Sequence, residues 1–115
     1  MNTDQIAVVA GVEPATVRSW MARAPAFEIG VRDGRTRVFT PAEAATLLVA
    51  GHILRHRNAR PHLALPAAAR INAMTADIVF VDVAPGGATH VARDADLLPS
   101  AIAINLTEIR RAAGE

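Results

Sequence analysis

Cysteine is absent from this 115-residue sequence, which excludes disulfides, thiolate catalysis and cysteine-ligated zinc together and fits a reducing cytosol. Large flat side chains are scarce: there is no tyrosine, and Trp20, Phe27, Phe39 and Phe80 are the aromatics. Much of the 51% hydrophobic fraction is alanine, so a chain of this length builds a thin aliphatic core that a partner surface would help complete. No apolar run approaches the roughly 18 residues of a membrane-spanning helix, and Met1 to Gln5 lacks the basic start of a secretory leader. These absences point to a cytoplasmic protein with no membrane partner.

Lysine is missing as well. All basic side chains among the 12 counted as Lys or Arg are arginine, and the formal net charge is only +1. The balance hides an asymmetry: residues 1–60 hold eight arginines against five acids, residues 61–115 four against six. Arginine suits bidentate contacts with phosphate or guanine. Arginine-only usage beside abundant alanine is equally the mark of a GC-rich genome, so the positions of the arginines must carry the argument.

The first segment reads as two short helices about a tight turn. Thr3 is placed to cap a helix through Ala10, with Asp4 favourable in its first turn. Gly11 stops it, and Pro14 opens a second helix in which Val17, Trp20 and Met21 form the inward stripe. The outward face is slim at Ala15 and Thr16, which suits close approach to base edges. Farther along it carries donors: Arg18 for guanine or phosphate, Ser19 for base or backbone, and Arg23 for phosphate. A small polar helix is common in any protein, so this stretch alone is a weak signal.

After Pro25 the pattern changes to period two. Phe27 to Arg32 and Arg35 to Phe39 read as the arms of a hairpin turning at Asp33-Gly34. Arg32, Arg35 and Arg37 surround the turn, concentrating positive charge at a projecting end, where an ordinary solvated hairpin is the plain alternative. Thr40, Pro41 and Glu43 then supply an N-cap, a first-turn proline and a capping-box glutamate, starting a helix expected to reach about Arg57.

The run TDQIAVVAGVEPATVRSWMAR followed by VRDGRTRVFTPAEAATL resembles the winged helix-turn-helix domain of the MerR-like superfamily, including small phage and excisionase-related regulators. The likeness covers about residues 3 to 56. It implies recognition-helix roles for Ala15, Thr16, Arg18 and Ser19, a core role for Trp20, and wing roles for Arg35 and Arg37. The rest of the chain departs from that family: no long dimerisation helix follows, and the cysteines of its metal sensors are missing.

Residues 61–115 have another character. A break around Pro61 precedes a short helix expected from about Pro66 to Met74. The stretch from Ala76 to Ala92 reads as strand, Pro85-Gly86-Gly87 turn and strand, with Ile78, Phe80 and either Asp82 or Val83 marking alternate faces. Leu97 and Leu98 precede a proline, Ala101 to Leu106 suggests another strand, and Thr107 with Glu108 starts a terminal helix. Such a small sheet leaves edges and an apolar face to cover, so a homodimer paired through residues 76–115 is expected.

Other chemistry is weakly signalled. His52 and His56 have the i, i+4 spacing that zinc uses, but no third ligand is apparent, and His62 and His90 read as surface residues. Asp77 with Asp82, and Asp94 with Asp96, lack a nucleophile or a convergent pocket. No cofactor, metal or catalytic residue is assigned, and the chain reads as a non-enzyme. The expected fold is α+β: an N-terminal winged helix-turn-helix over 1–60, then a helix and small antiparallel sheet over 61–115. The expected function is a homodimeric, nucleoid-associated regulator that binds double-stranded DNA sequence-specifically. The alternatives are an excisionase-like architectural protein on repeated sites, and an adaptor docking RNA polymerase or another regulator.

Overall fold

In a computed structural model describing residues 1–94 and 101–114, the chain folds as α+β, with five helices and two small antiparallel sheets among those residues. Helix α1 spans Thr3–Ala10 and α2 spans Pro14–Ala22. Asn2, rather than Thr3, caps α1: its side chain accepts from the Gln5 N–H at 2.9 Å, while the Gln5 side chain accepts from the Asn2 N–H at 2.8 Å. This capping box frees Thr3 to be buried inside the first turn. Gly11 ends α1 at φ +72°, a left-handed conformation that glycine adopts without strain.

The hairpin pairs β1, Val31–Asp33, with β2, Thr36–Val38. Asp33 faces Thr36 in the register, so the two loop residues are Gly34 and Arg35 rather than Asp33 and Gly34. Gly34 has φ +63° and Arg35 does not have a positive φ, which is the II′ pattern that matches strand twist. The strands are also shorter than the alternation suggested, since Phe27 and Ile29 lie before β1.

Helix α3, Pro41–Ile53, starts as the sequence indicated, with Thr40 and Glu43 forming a complete capping box. It ends before Arg57 and is buried almost all round, from Ala44 through Gly51 and again at Ile53. A helix of that kind belongs at the centre of a fold. Helix α1 packs on it, as do α4 (Pro61–Asn72) and α5 (Leu106–Ala112). Helix α4 begins a full turn before the expected start and carries Pro66 inside it. Proline there removes the N–H that would meet the His62 carbonyl, but His62 is exposed, where water can serve instead.

The second sheet has the order β4-β3-β5, with β3 at Ile78–Val83, β4 at Thr89–Ala92 and β5 at Ile102–Asn105. Val79, Val81 and Val83 are the buried face of β3, and Ile78, Phe80 and Asp82 share the other. Val79 pairs with Ile104, and Val81 lies between Val91 and Ile102. Leu97, Leu98 and Asp96 of the sequence reading lie outside the described residues. Buried side chains from Ile6 to Ala113 form one continuous cluster, so both parts of the sequence share a core.

Arg110 ties α5 to the end of α4 and to the segment leading into β3. From α5 it donates to the carbonyls of Asn72 and Met74 at 2.8 Å and of Ala76 at 3.2 Å, and to the Asn72 side chain at 3.3 Å. Asn72 ends α4, so its carbonyl would otherwise lack an intrahelical donor. Replacing Arg110 with alanine should lower unfolding stability by about 2–3 kcal/mol, from charge-assisted hydrogen bonds left unmade. Arg110→Lys should recover less than half, because an ammonium lacks the fork geometry. Urea unfolding of the three proteins measures both effects.

Candidate nucleic-acid interface

Helix α2 exposes a ridge because its buried residues, Val17 and Trp20, fall on one side. Ala15, Arg18 and Ala22 are exposed, whereas Thr16 and Ser19 are half-buried on the flank of the ridge. A groove runs along each flank. The first, of about 530 Å³, lies between α2 and the hairpin and brings Arg18 together with Arg32, Arg35 and Arg37. The second, of about 400 Å³, holds Ala15, Thr16, Ser19 and Arg23 against Leu54 and Ala59 of the segment joining α3 to α4 and Pro61 at the start of α4. The eight residues assigned to DNA contact are therefore divided between the two sides of α2.

The arginine groove also contains Asp4 and Glu28 and has Met21 and Phe27 in its lining. Its four guanidiniums outnumber its two carboxylates. Among the described residues, no hydrogen-bond acceptor or ion-pair partner takes up Arg18, Arg32 or Arg35. Arg37 is different. It is half-buried and donates through Nη1 to the Ile29 carbonyl at 2.8 Å, so it anchors the hairpin as well as lining the groove.

The hairpin is held at its base by α3. Gly30 donates its N–H to Glu43 Oε2 at 2.8 Å, while Glu43 Oε1 accepts from the Thr40 N–H at 2.9 Å. One carboxylate thus caps α3 and fixes the chain entering β1. Partial burial works to raise the Glu43 pKa but is outweighed by hydrogen bonds from the Thr40 backbone, the Gly30 backbone and the Thr40 hydroxyl, which hold it below the ordinary carboxylate value. Gly30 has φ +79°, and a Cβ there would lie 2.6 Å from the Phe39 ring. Phe39 is buried and hydrogen-bonds through its N–H to the Met1 carbonyl at 2.8 Å. TPAE predicted the cap, but nothing in that motif announced the second acceptor for Gly30.

The paired histidines part company. The His56 Nε2 stands 3.9 Å from Asp82 Oδ1, and its Nδ1 accepts from the Asn58 N–H at 3.1 Å. Asn58 in turn donates to the Val83 carbonyl at 3.2 Å, joining the α3–α4 connection to the sheet. His52 instead lies half-buried between α1, α3 and α5. Among the described residues, no group of three or more His, Cys, Asp or Glu side chains is arranged to hold a metal ion.

Gly30→Ala combines a strained φ with overlap against a buried ring, so it should cost at least about 2 kcal/mol of stability. Glu43→Gln replaces one acceptor by a donor and should cost about 1 kcal/mol near neutral pH. The Glu43 contribution is full above its unfolded pKa and is lost as pH falls through the lower folded value, so the two proteins should converge in acid. Chemical unfolding across pH 3 to 7, values flanking roughly the ordinary carboxylate range, reads this convergence. Comparison with protein families, with curated proteins and with solved structures finds no match to this chain.

Proposed function

We propose that this chain is a sequence-specific regulator that binds double-stranded DNA as a homodimer, using α1, α2 and the β1–β2 hairpin as a winged helix-turn-helix. The observation that carries the reading is the groove in which Arg18 from α2 meets Arg32 and Arg35 from the hairpin, with their charges uncommitted among the described residues. Guanidiniums gathered from two elements, beside a slim exposed helix ridge, match what a duplex offers: phosphates along its rim and base edges in its major groove.

In this reading Arg32 and Arg35 capture phosphate, and the gain comes largely from counterion release. Arg18, on the ridge itself, reaches a guanine edge, and Ala15 lets the helix approach closely. Thr16, Ser19 and Arg23 serve the opposite flank, where Arg23 is exposed and suited to phosphate. Arg37 acts mainly by holding the hairpin in place. Binding, rather than a chemical step, is the activity, and two subunits on a pseudo-palindromic site set the half-site spacing.

The test is fluorescence anisotropy with a duplex selected from a random pool by the wild-type protein and a scrambled control, each at two salt concentrations. Arg35→Ala should weaken both duplexes alike and reduce the slope of log affinity against log salt by about 0.9. Arg18→Ala should cost about 1–3 kcal/mol on the selected duplex and much less on the control. Binding that is unchanged in both variants, with their folds intact, rejects the assignment.

A further inference from the structure

A groove of about 210 Å³ lies between α1, α3 and α5, away from the arginine groove. Its lining is mostly aliphatic, with Val9 and Ala10 on one wall, Leu48 on α3, and Ile109 and Ala112 on the other. Val9 is 46% exposed, and Val8 beside it is 80% exposed, above every other large hydrophobic side chain among the described residues. Single exposed valines are ordinary, and Val9 is the one of the two that borders the apolar groove.

Arg55 and Glu108 border this groove from different elements. Among the described residues neither has an ion-pair partner, and the Arg55 Nη2 reaches only the Ala10 carbonyl, at 3.4 Å. His52 adds no second cation near neutral pH, because burial and the neighbouring Arg55 both lower its pKa. The surface therefore presents one positive group, one negative group and an apolar centre.

We propose that this groove is where a second copy of the chain docks, forming a two-fold dimer in which Arg55 of each subunit faces Glu108 of the other. An isologous interface requires one patch to complement itself. Charges of opposite sign bordering the same apolar groove, neither with an ion-pair partner among the described residues, fit that requirement, because across a two-fold axis each charge of one subunit can meet its opposite on the other. Placement agrees with the DNA reading. Helix α1 borders the arginine groove at Thr3 and Asp4 but this one at Val9 and Ala10. Asp4 and Val9 are separated by about 140° around the helix and about 7.5 Å along it, so pairing leaves the arginines open to a duplex. The proposal rests on the regulator reading only for the use to which a dimer is put, and it names α5 as the part of residues 76–115 that pairs subunits.

The experiment measures mass by sedimentation in the absence of DNA for wild type, Val9→Asp, Arg55→Glu and Glu108→Arg, and then for an equimolar mixture of the two charge variants. Wild type should be a dimer in the micromolar range, and Val9→Asp a monomer with its helical circular dichroism retained. Each charge variant alone opposes like charges twice and should self-associate at least about tenfold more weakly. In the mixture, one subunit carries two acids and the other two arginines, so mixed dimers should return to within about threefold of the wild-type affinity. A pairing within one subunit predicts no such rescue. A monomeric wild type, or a dimer indifferent to all three substitutions, overturns the proposal. The anisotropy measurements on Arg18→Ala and Arg35→Ala report on DNA binding separately, so either idea can fail while the other stands.

Discussion

Burial of α3 is the constraint on which the rest of the structure depends. With so few aromatic residues, the chain cannot build its core around large rings, and it uses one helix that is covered on nearly every side. Leu47, Leu48, Val49 and Ile53 supply apolar bulk, each worth about 1.5–3 kcal/mol when fully buried. Ala44, Ala45, Ala50 and Gly51 supply the close approach that lets several other elements share the same helix. The polar exception, Thr46, returns its hydroxyl to the Ala42 carbonyl at 3.0 Å and is satisfied within the helix. Neither part of the chain has a separate core to fall back on, since the sheet and the terminal helix share one buried cluster with α1 and α3.

That arrangement makes the arginine groove an outcome of helix capping. The N-terminus of α3 needs acceptors for its free N–H groups, and Glu43 supplies one to the Thr40 N–H while turning its second oxygen to Gly30. Gly30 can come close because it has no side chain, and Phe39 occupies the space a Cβ would need. The Ile29 carbonyl, one residue earlier, is taken by Arg37. Both sides of the Ile29–Gly30 peptide are thus fixed before β1 begins, and the position of Arg32 and Arg35 relative to Arg18 follows. The mutual repulsion of these guanidiniums is tolerated because Asp4 and Glu28 line the same groove and because the side chains remain open to water, where screening is strong.

Features set by local chemistry were legible in the sequence. The Gly11 turn, the Pro14 helix start and the Thr40–Glu43 box each follow from groups within four residues of one another, and each is found where local rules place it. Errors came where two local solutions compete or where distant packing decides. Asn2 and Thr3 are both good caps, and Asn2 prevails because Gln5 completes the reciprocal bond. Asp33-Gly34 is a strong turn pair, yet the register places Gly34 first in the loop, where its positive φ suits a II′ turn. IVFVDV is apolar in both phases, so periodicity could not choose its buried face; Asp82 marks the outward phase only once the register is known. Thr16 and Ser19 looked equivalent to Arg18 on a bare helix. Their separation into another groove depends on Leu54, Ala59 and Pro61, far along the chain.

Gly51 shows how the distinct surfaces are physically joined. A Cβ there would stand 3.2 Å from the end of the Trp20 ring and 3.8 Å from the Ala10 Cβ, so α3 meets α2 and α1 closely at this point. The same residue lines the groove between α1, α3 and α5. Trp20 fixes the inward side of α2, and its opposite side is the ridge that carries Arg18. One turn of α3 therefore separates the proposed subunit contact from the proposed reading helix, with Trp20 as the side chain between them. Close packing transmits small displacements because it has no void to absorb them. Movement of α1 or α5 about the groove would reach the ridge through the Trp20 ring, whereas the hairpin, anchored at the far end of α3 by Glu43, would be displaced less.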